Sequence, residues 1–142
     1  MREILFRGKR LDNGEWVEGF YCKHDTVKVC FTTDDPKTKH LIVMDGFCDW
    51  GFEPPLQGVE VDPGTVGQFT GLLDKNGKRI FEGDVVRYGS RTGYVNFGTG
   101  CFCVQDSMTQ NHPAIDMVMF QWDVTVIGNI HDPELLEVTP DE

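Results

Sequence analysis

Apolar and polar residues alternate along this chain in short runs, and almost every run ends in Gly, Asn-Gly, Asp or Pro. Ile4 and Phe6 alternate with Leu5 and Arg7, and Trp16 and Phe20 alternate with Val17 and Tyr21; Asp12-Asn13-Gly14 lies between. Asn-Gly takes the positive φ angles of a tight turn, so residues 2–9 and 15–22 predict a first β-hairpin. Val27, Val29 and Phe31 predict a third strand, and Leu41-Ile42-Val43-Met44 a short buried one ended by Asp45-Gly46. Thr32 to Lys39 reads as a polar loop tip. Residues 47–64 have no period, and Pro54-Pro55 cannot donate to a ladder, which excludes a central strand there.

From Thr65 the pattern resumes. Thr65–Leu72 leads into Asn76-Gly77, Ile80-Phe81 leads out, and Gly83-Asp84 opens a further strand to Tyr88. Tyr94–Phe97 and Cys101–Val104 follow, separated by Gly98-Thr99-Gly100. Val118, Phe120, Trp122, Val124 and Val126 fall on five alternate positions, with Gln121, Asp123 and Thr125 between them. That alternation predicts a strand with Phe120, Trp122 and Val124 buried, and truncation of Trp122 would then cost about 3–5 kcal/mol. Near the end, Asp132 followed by Pro133-Glu134-Leu135-Leu136 predicts one capped helical turn. No long amphipathic helix is predicted.

The class is therefore all-β, built from short antiparallel strands and hairpins. Two interlocked subdomains are expected, residues 1–61 with the Pro-rich connector and residues 62–142, the second an SH3-like barrel. The length of 142 residues suffices for such a core, and 39% hydrophobic with 25% charged residues is a globular composition.

Charge narrows the classes of partner. The net charge is −10, the first ten residues carry Arg2, Arg7, Lys9 and Arg10 against Glu3, and no Lys or Arg follows Arg91. The eight carboxylates beyond Arg91 oppose non-specific binding to phosphate backbones and suit solubility or a basic partner. Five cysteines, an odd number, with no signal-peptide core and no apolar run near 20 residues, predict reduced thiols in a cytoplasmic protein. Cys101 and Cys103 share a strand face and read as small buried hydrophobes.

Residues with catalytic chemistry are present without a catalytic pattern. Gly71 to Gly77-Lys78 has the wrong spacing for a phosphate loop, Arg79 stands where Ser or Thr would hold magnesium, and no helix follows. Cys22-x-His24 and Cys101-x-Cys103 lack zinc spacing. Asp45 with Asp49, and Asp132 with Glu134, are explained by turns and caps. No metal or cofactor is expected, and the protein is expected not to be an enzyme. Trp50 and Phe52 in the proline-rich segment, with Tyr88 and Tyr94 flanking the Gly89–Gly93 turn, are the candidate interaction surface.

Three ordered blocks carry a family likeness. They are Phe6-Arg7-Gly8-Lys9 with Asn13-Gly14-Glu15-Trp16-Val17; Val66–Leu72, Asp74–Gly77 and Glu82-Gly83-Asp84-Val85; and Val126–Leu136. In these the chain resembles the YopX family of bacteriophage proteins. The resemblance implies a phage or prophage accessory protein with a mostly β fold, and it supplies no catalytic residues. The expected function is a non-enzymatic protein-binding or assembly module, its partner a host or phage protein or a second copy of the chain. The alternative is a nucleic-acid-associated small β-barrel, or an acidic DNA mimic facing a basic host protein. Nucleic acid binding requires the cations to share a face with aromatic residues.

Overall fold

The structure, a computed structural model, describes residues 1–27, 35–46, 51–106 and 113–132. The chain divides into two compact units, one of residues 4–66 and one of residues 67–142 together with 1–3.

In the first unit β1 (Phe6–Lys9), β2 (Trp16–Asp25), β3 (Thr38–Asp45) and β4 (Leu56–Glu60) run antiparallel in the order β4-β3-β2-β1. Phe6 faces Gly19, Phe20 faces Val43 and Ile42 faces Val59. Gly14 takes φ +72°, as the Asn-Gly pair requires, and the Arg10 amide donates to the Glu15 carbonyl at 2.9 Å to close the hairpin. The sheet curls until Arg10 bridges Val61, with the Asp62 amide on the Lys9 carbonyl at 2.9 Å. Inside the curl lie Ile42, Val59 and Val61. Gly8 permits the closure, because a Cβ there would stand 3.1 Å from Val61 Cβ.

Three sequence expectations change here. The irregular segment 47–64 contains β4, which follows Pro55 directly and takes the terminal place in this unit's sheet, where proline is tolerated. It escaped the pattern because only Val59 of its five residues is buried. β3 extends beyond Leu41–Met44 at both ends, and Val27 is exposed and outside β2. The remainder of the expected Val27–Phe31 strand lies outside the described residues.

The second unit begins with the hairpin β5 (Gly67–Leu73) and β6 (Arg79–Phe81). It continues through β7 (Asp84–Tyr88), β8 (Arg91–Gly98), β9 (Cys101–Asp106), a helix α1 (Ile115–Gln121) and β10 (Val124–Asn129). The last four strands form an open antiparallel sheet, β10-β7-β8-β9. Among the described residues it does not close, so the barrel expected for this half is not what these strands build. Its core is Ile80, Val86, Tyr88, Val95, Val104 and Val124, with Ile115 and Val118 of α1 packed on them.

Both outer strands of that sheet are covered by backbone. The Val104 amide of β9 donates to the Pro113 carbonyl at 3.0 Å, and Cys103 bridges Ala114. On β10, the Val124 carbonyl accepts from the Lys75 amide at 3.0 Å, and the Val126 amide donates to Asp74 Oδ2 at 3.1 Å.

Gly77 sits at φ +79° with nothing within 4 Å of a built Cβ. Gly77→Val should therefore cost backbone strain alone, about 1–2 kcal/mol in a denaturant titration. An unchanged midpoint would contradict the turn geometry.

The largest departure is the expected Val118–Val126 strand. Residues 115–121 are helical and the strand begins only at Val124. Val124 is buried as expected, but Phe120 is 92% exposed and Trp122 41% exposed. Helical spacing was present in the same stretch: Ile115, Val118 and Met119 are three and four apart, and the first and second are buried. The apolar alternation arose from a helix joined to a strand. Trp122 lies against Gly89, where a Cβ would stand 3.1 Å from its Cδ1, and against the Tyr88 ring at 5.9 Å. For this half-covered ring we expect Trp122→Ala to cost about 1–2 kcal/mol and to keep a cooperative melting transition.

Candidate functional site

The aromatic residues singled out in the sequence do not form one surface. Tyr88 is buried and its hydroxyl donates to Asp106 Oδ2 at 3.4 Å; burial first, and the Asp106 carboxylate second, push its pKa up. Tyr94 faces Val85 across β7–β8 while Tyr88 faces Arg91, so strand alternation puts the two tyrosines on opposite sides of the sheet. The half-buried Tyr94 hydroxyl donates to Gln105 Oε1 at 2.6 Å. Phe52 is 74% exposed, in the other unit. Trp50 lies outside the described residues.

Several carboxylates and amides of the family-like blocks are engaged in building the fold. Asp74 Oδ1 accepts the amides of Asn76 and Lys78, both at 2.8 Å, and Oδ2 that of Val126. Buried Asp84 accepts the Phe81 amide at 2.8 Å. Asn129 accepts the His131 amide at 2.8 Å and donates to Asp132 Oδ2 at 2.9 Å. Gly83, at φ +91°, brings its backbone beside His131, whose Nε2 would lie 3.6 Å from a Cβ there. Asp132 thus ties the end of β10 locally, while the helical turn expected after it lies outside the described residues.

Thiols are also separated by environment. Cys103 is buried, its Sγ 2.7 Å from Asn96 Oδ1, with its pKa raised first by burial and then by Cys101; Cys101 and Cys22 are exposed. The expected burial of Cys101 is therefore corrected, because its place at the start of β9 leaves it uncovered. Among the described residues no three His, Cys, Asp or Glu side chains converge to hold a metal ion. Nor is any helix there long and apolar enough to cross a membrane.

What stands out is the outer face of the β2–β3–β4 sheet. The paired residues Phe20 and Val43, then Cys22 and Leu41, occupy the side opposite Ile42 and Val59. Phe20 is 64% and Leu56 76% exposed, with Leu41 and Val43 half-buried between them. Further along the same face, Arg7 Cζ lies 4.7 Å and Lys9 Nζ 5.5 Å from the Trp16 ring centroid. A separate depression of about 270 Å³ on α1 is lined by Asp116, Met117, Phe120 and Gln121.

The YopX protein family model matches residues 5–137. The chain belongs to that family. No curated protein matches it. In this YopX-family chain the recognisable blocks coincide with turns and carboxylate staples, whereas the exposed sheet face draws on residues between them. Sequence reading missed that face, although β2 carried its signal. Phe20 and Tyr21 are adjacent apolar residues on a strand, so whichever side is buried, the other is apolar too.

Proposed function

We propose that this YopX-family chain is a non-enzymatic module that binds another protein. The observation that carries the reading is the exposed apolar face formed by Phe20, Leu41, Val43 and Leu56 on three paired strands. A rigid sheet presents these side chains without an ordering cost on binding, and large exposed apolar groups in register suit a protein surface. The finer reading is a cytoplasmic accessory protein of a phage or prophage, its many carboxylates keeping it soluble.

The reading is tested by crosslinking in bacterial lysate with the wild-type chain and a Phe20→Lys/Leu56→Lys double variant of unchanged melting curve. A discrete partner captured by the wild type and lost from the variant is expected. Equal capture by both, or capture by neither, overturns it.

A second reading has one specific observation behind it. Arg7 and Lys9 stack on Trp16, and Phe20 follows on the same face, the arrangement that single-stranded nucleic acid uses for stacking. The net charge of −10 opposes it. Anisotropy with labelled single- and double-stranded oligonucleotides at low salt separates the two: salt-sensitive binding abolished by Trp16→Ala favours nucleic acid over protein.

A further inference from the structure

The sheet of the first unit ends at β4, whose outer edge is paired with Lys9–Leu11 at its C-terminal end and, among the described residues, is open over Leu56–Gly58. Leu56, Gln57, Gly58 and Glu60 are all exposed. Backbone parity settles which groups face outward. The Val61 amide donates to the His40 carbonyl at 2.9 Å, so Val61, and Val59 two residues before it, turn their amides toward β3. Leu56, Gly58 and Glu60 turn theirs away. The Glu60 carbonyl bears this out by accepting from the Leu11 amide at 3.1 Å. Among the described residues, the outward N–H and C=O groups of Leu56 and Gly58 have no hydrogen-bond partner.

Beside the Leu11–Glu60 bond lies a groove of about 260 Å³, lined by Arg10, Leu11 and Asp12 on one side and by residues 57–60 on the other. Its far wall is held in place by the Arg10–Asp12 ion pair, Nη2 to Oδ2 at 2.7 Å. Gly58 lies in the strand beside this groove, on the same face as Leu41; a Cβ at Gly58 would stand 3.3 Å from Leu41 Cδ1. With no side chain at residue 58, Leu41 Cδ1 packs close against the backbone there, on the face that an added strand would cover.

We propose that β4 is a strand-addition site for an extended segment of a partner protein carrying a large aromatic residue opposite Gly58. The inference rests on the protein-binding reading and names its mode. The outward amides and carbonyls of Leu56 and Gly58 are matched by another extended backbone, and an aromatic side chain across from glycine can lie over the backbone and onto Leu41. A second copy of the chain is a poorer occupant. Two β4 strands centred on one another would place Gly58 against Gly58, and each copy carries a charge of −10.

The test uses the full chain labelled with nitrogen-15 and capped six-residue peptides of sequence Thr-Xaa-Thr-Val-Thr-Lys, with Xaa Phe, Tyr, Trp or Gly, which when antiparallel to β4 with Xaa opposite Gly58 stop short of the Leu11–Glu60 bond. Aromatic peptides should slow hydrogen exchange at the Leu56 and Gly58 amides and leave Val59, already bonded to β3, unchanged, the alternation expected of edge pairing. The Gly peptide should bind about tenfold more weakly or worse. Gly58→Pro removes an outward donor at a position where an edge strand tolerates proline, and should weaken the aromatic peptides about tenfold or more. If that variant does not fold, Gly58→Ala keeps the donor but puts a Cβ against Leu41 Cδ1 where the aromatic ring would lie, and should reduce the preference for aromatic Xaa. No binding by any peptide at millimolar concentration overturns the edge proposal, as does binding without the alternation. Either result leaves the protein-binding reading to the Phe20→Lys/Leu56→Lys comparison. The same alternation appearing with protein concentration alone, without peptide, overturns the choice of a heterologous partner in favour of a second copy.

Discussion

Asp74→Ala should destabilise the second unit by about 2–4 kcal/mol, because three backbone amides lose a charged acceptor at once. Asp74 is buried, and its two oxygens do different work. Oδ1 closes the Asn76-Gly77 turn by accepting Asn76 and Lys78, while Oδ2 reaches the Val126 amide on β10. One carboxylate therefore joins the β5–β6 hairpin to the outer strand of the open sheet. Burial pushes its pKa up, but the amides of Val126, Lys78 and Asn76 with the Lys78 ammonium outweigh that, and the net direction is down. A depressed native pKa contributes stability that is complete above the unfolded value near about pH 4 and is lost as pH falls through the native value. Chemical denaturation of the wild type between pH 7 and pH 2 should lose stability on the acid side, and the loss should be smaller in Asp74→Asn. The amide variant should also be weaker than wild type at pH 7, since its NH₂ group faces donors. A variant as stable as wild type at pH 7 would refute the staple.

That staple marks the limit of what the sequence made legible. The Asn13-Gly14 and Asn76-Gly77 pairs announce their hairpins because positive φ at glycine is a local requirement, written in adjacent residues. The partnership of Asp74 with Val126 spans 52 residues and has no local trace. Tyr88 fails for the same reason. Beside the Gly89–Gly93 turn it reads as an exposed aromatic, but Asp106 on β9 accepts from its hydroxyl and lets the ring enter the core. At residues 115–126 the difficulty is different. Two periods coexist in one short stretch, and a seven-residue helix supplies too few turns for its period to dominate. The exposed face of Phe20, Leu41, Val43 and Leu56 was hidden by assigning each strand one buried side. β4 was hidden because an edge strand exposed along most of its length has almost no apolar alternation to show.

Gly67→Ala should be the most damaging single-methyl addition in the second unit, at about 3 kcal/mol or more. A Cβ at residue 67 would stand 2.4 Å from the Glu82 carbonyl oxygen and 3.3 Å from its carbon, closer than van der Waals contact permits. Relief requires that peptide to move, and it is held from both sides. The Glu82 amide donates to the Gln68 carbonyl at 2.9 Å, and the Gly83 amide that follows donates to the Val95 carbonyl at 2.7 Å. Gly83 in turn accepts the Ile130 amide at 2.9 Å, so a displacement there would disturb β7, β8 and the end of β10 together. Gly71→Ala is the internal comparison. Its φ of +88° imposes strain but a Cβ there meets nothing within 4 Å, so about 1–2 kcal/mol is expected. Denaturant midpoints should rank wild type, Gly71→Ala and Gly67→Ala in falling order, and the reverse order of the two variants would sink the close-approach argument. The ranking also bears on the family likeness. Gly67, Asp74, Gly83 and Asp84 all belong to its central block, and each sits where backbones approach or a carboxylate gathers amides. On this reading that block is recognisable because it records how the second unit closes its strands, and the partner-binding surface proposed above, the β2–β3–β4 face and the β4 edge, lies outside it.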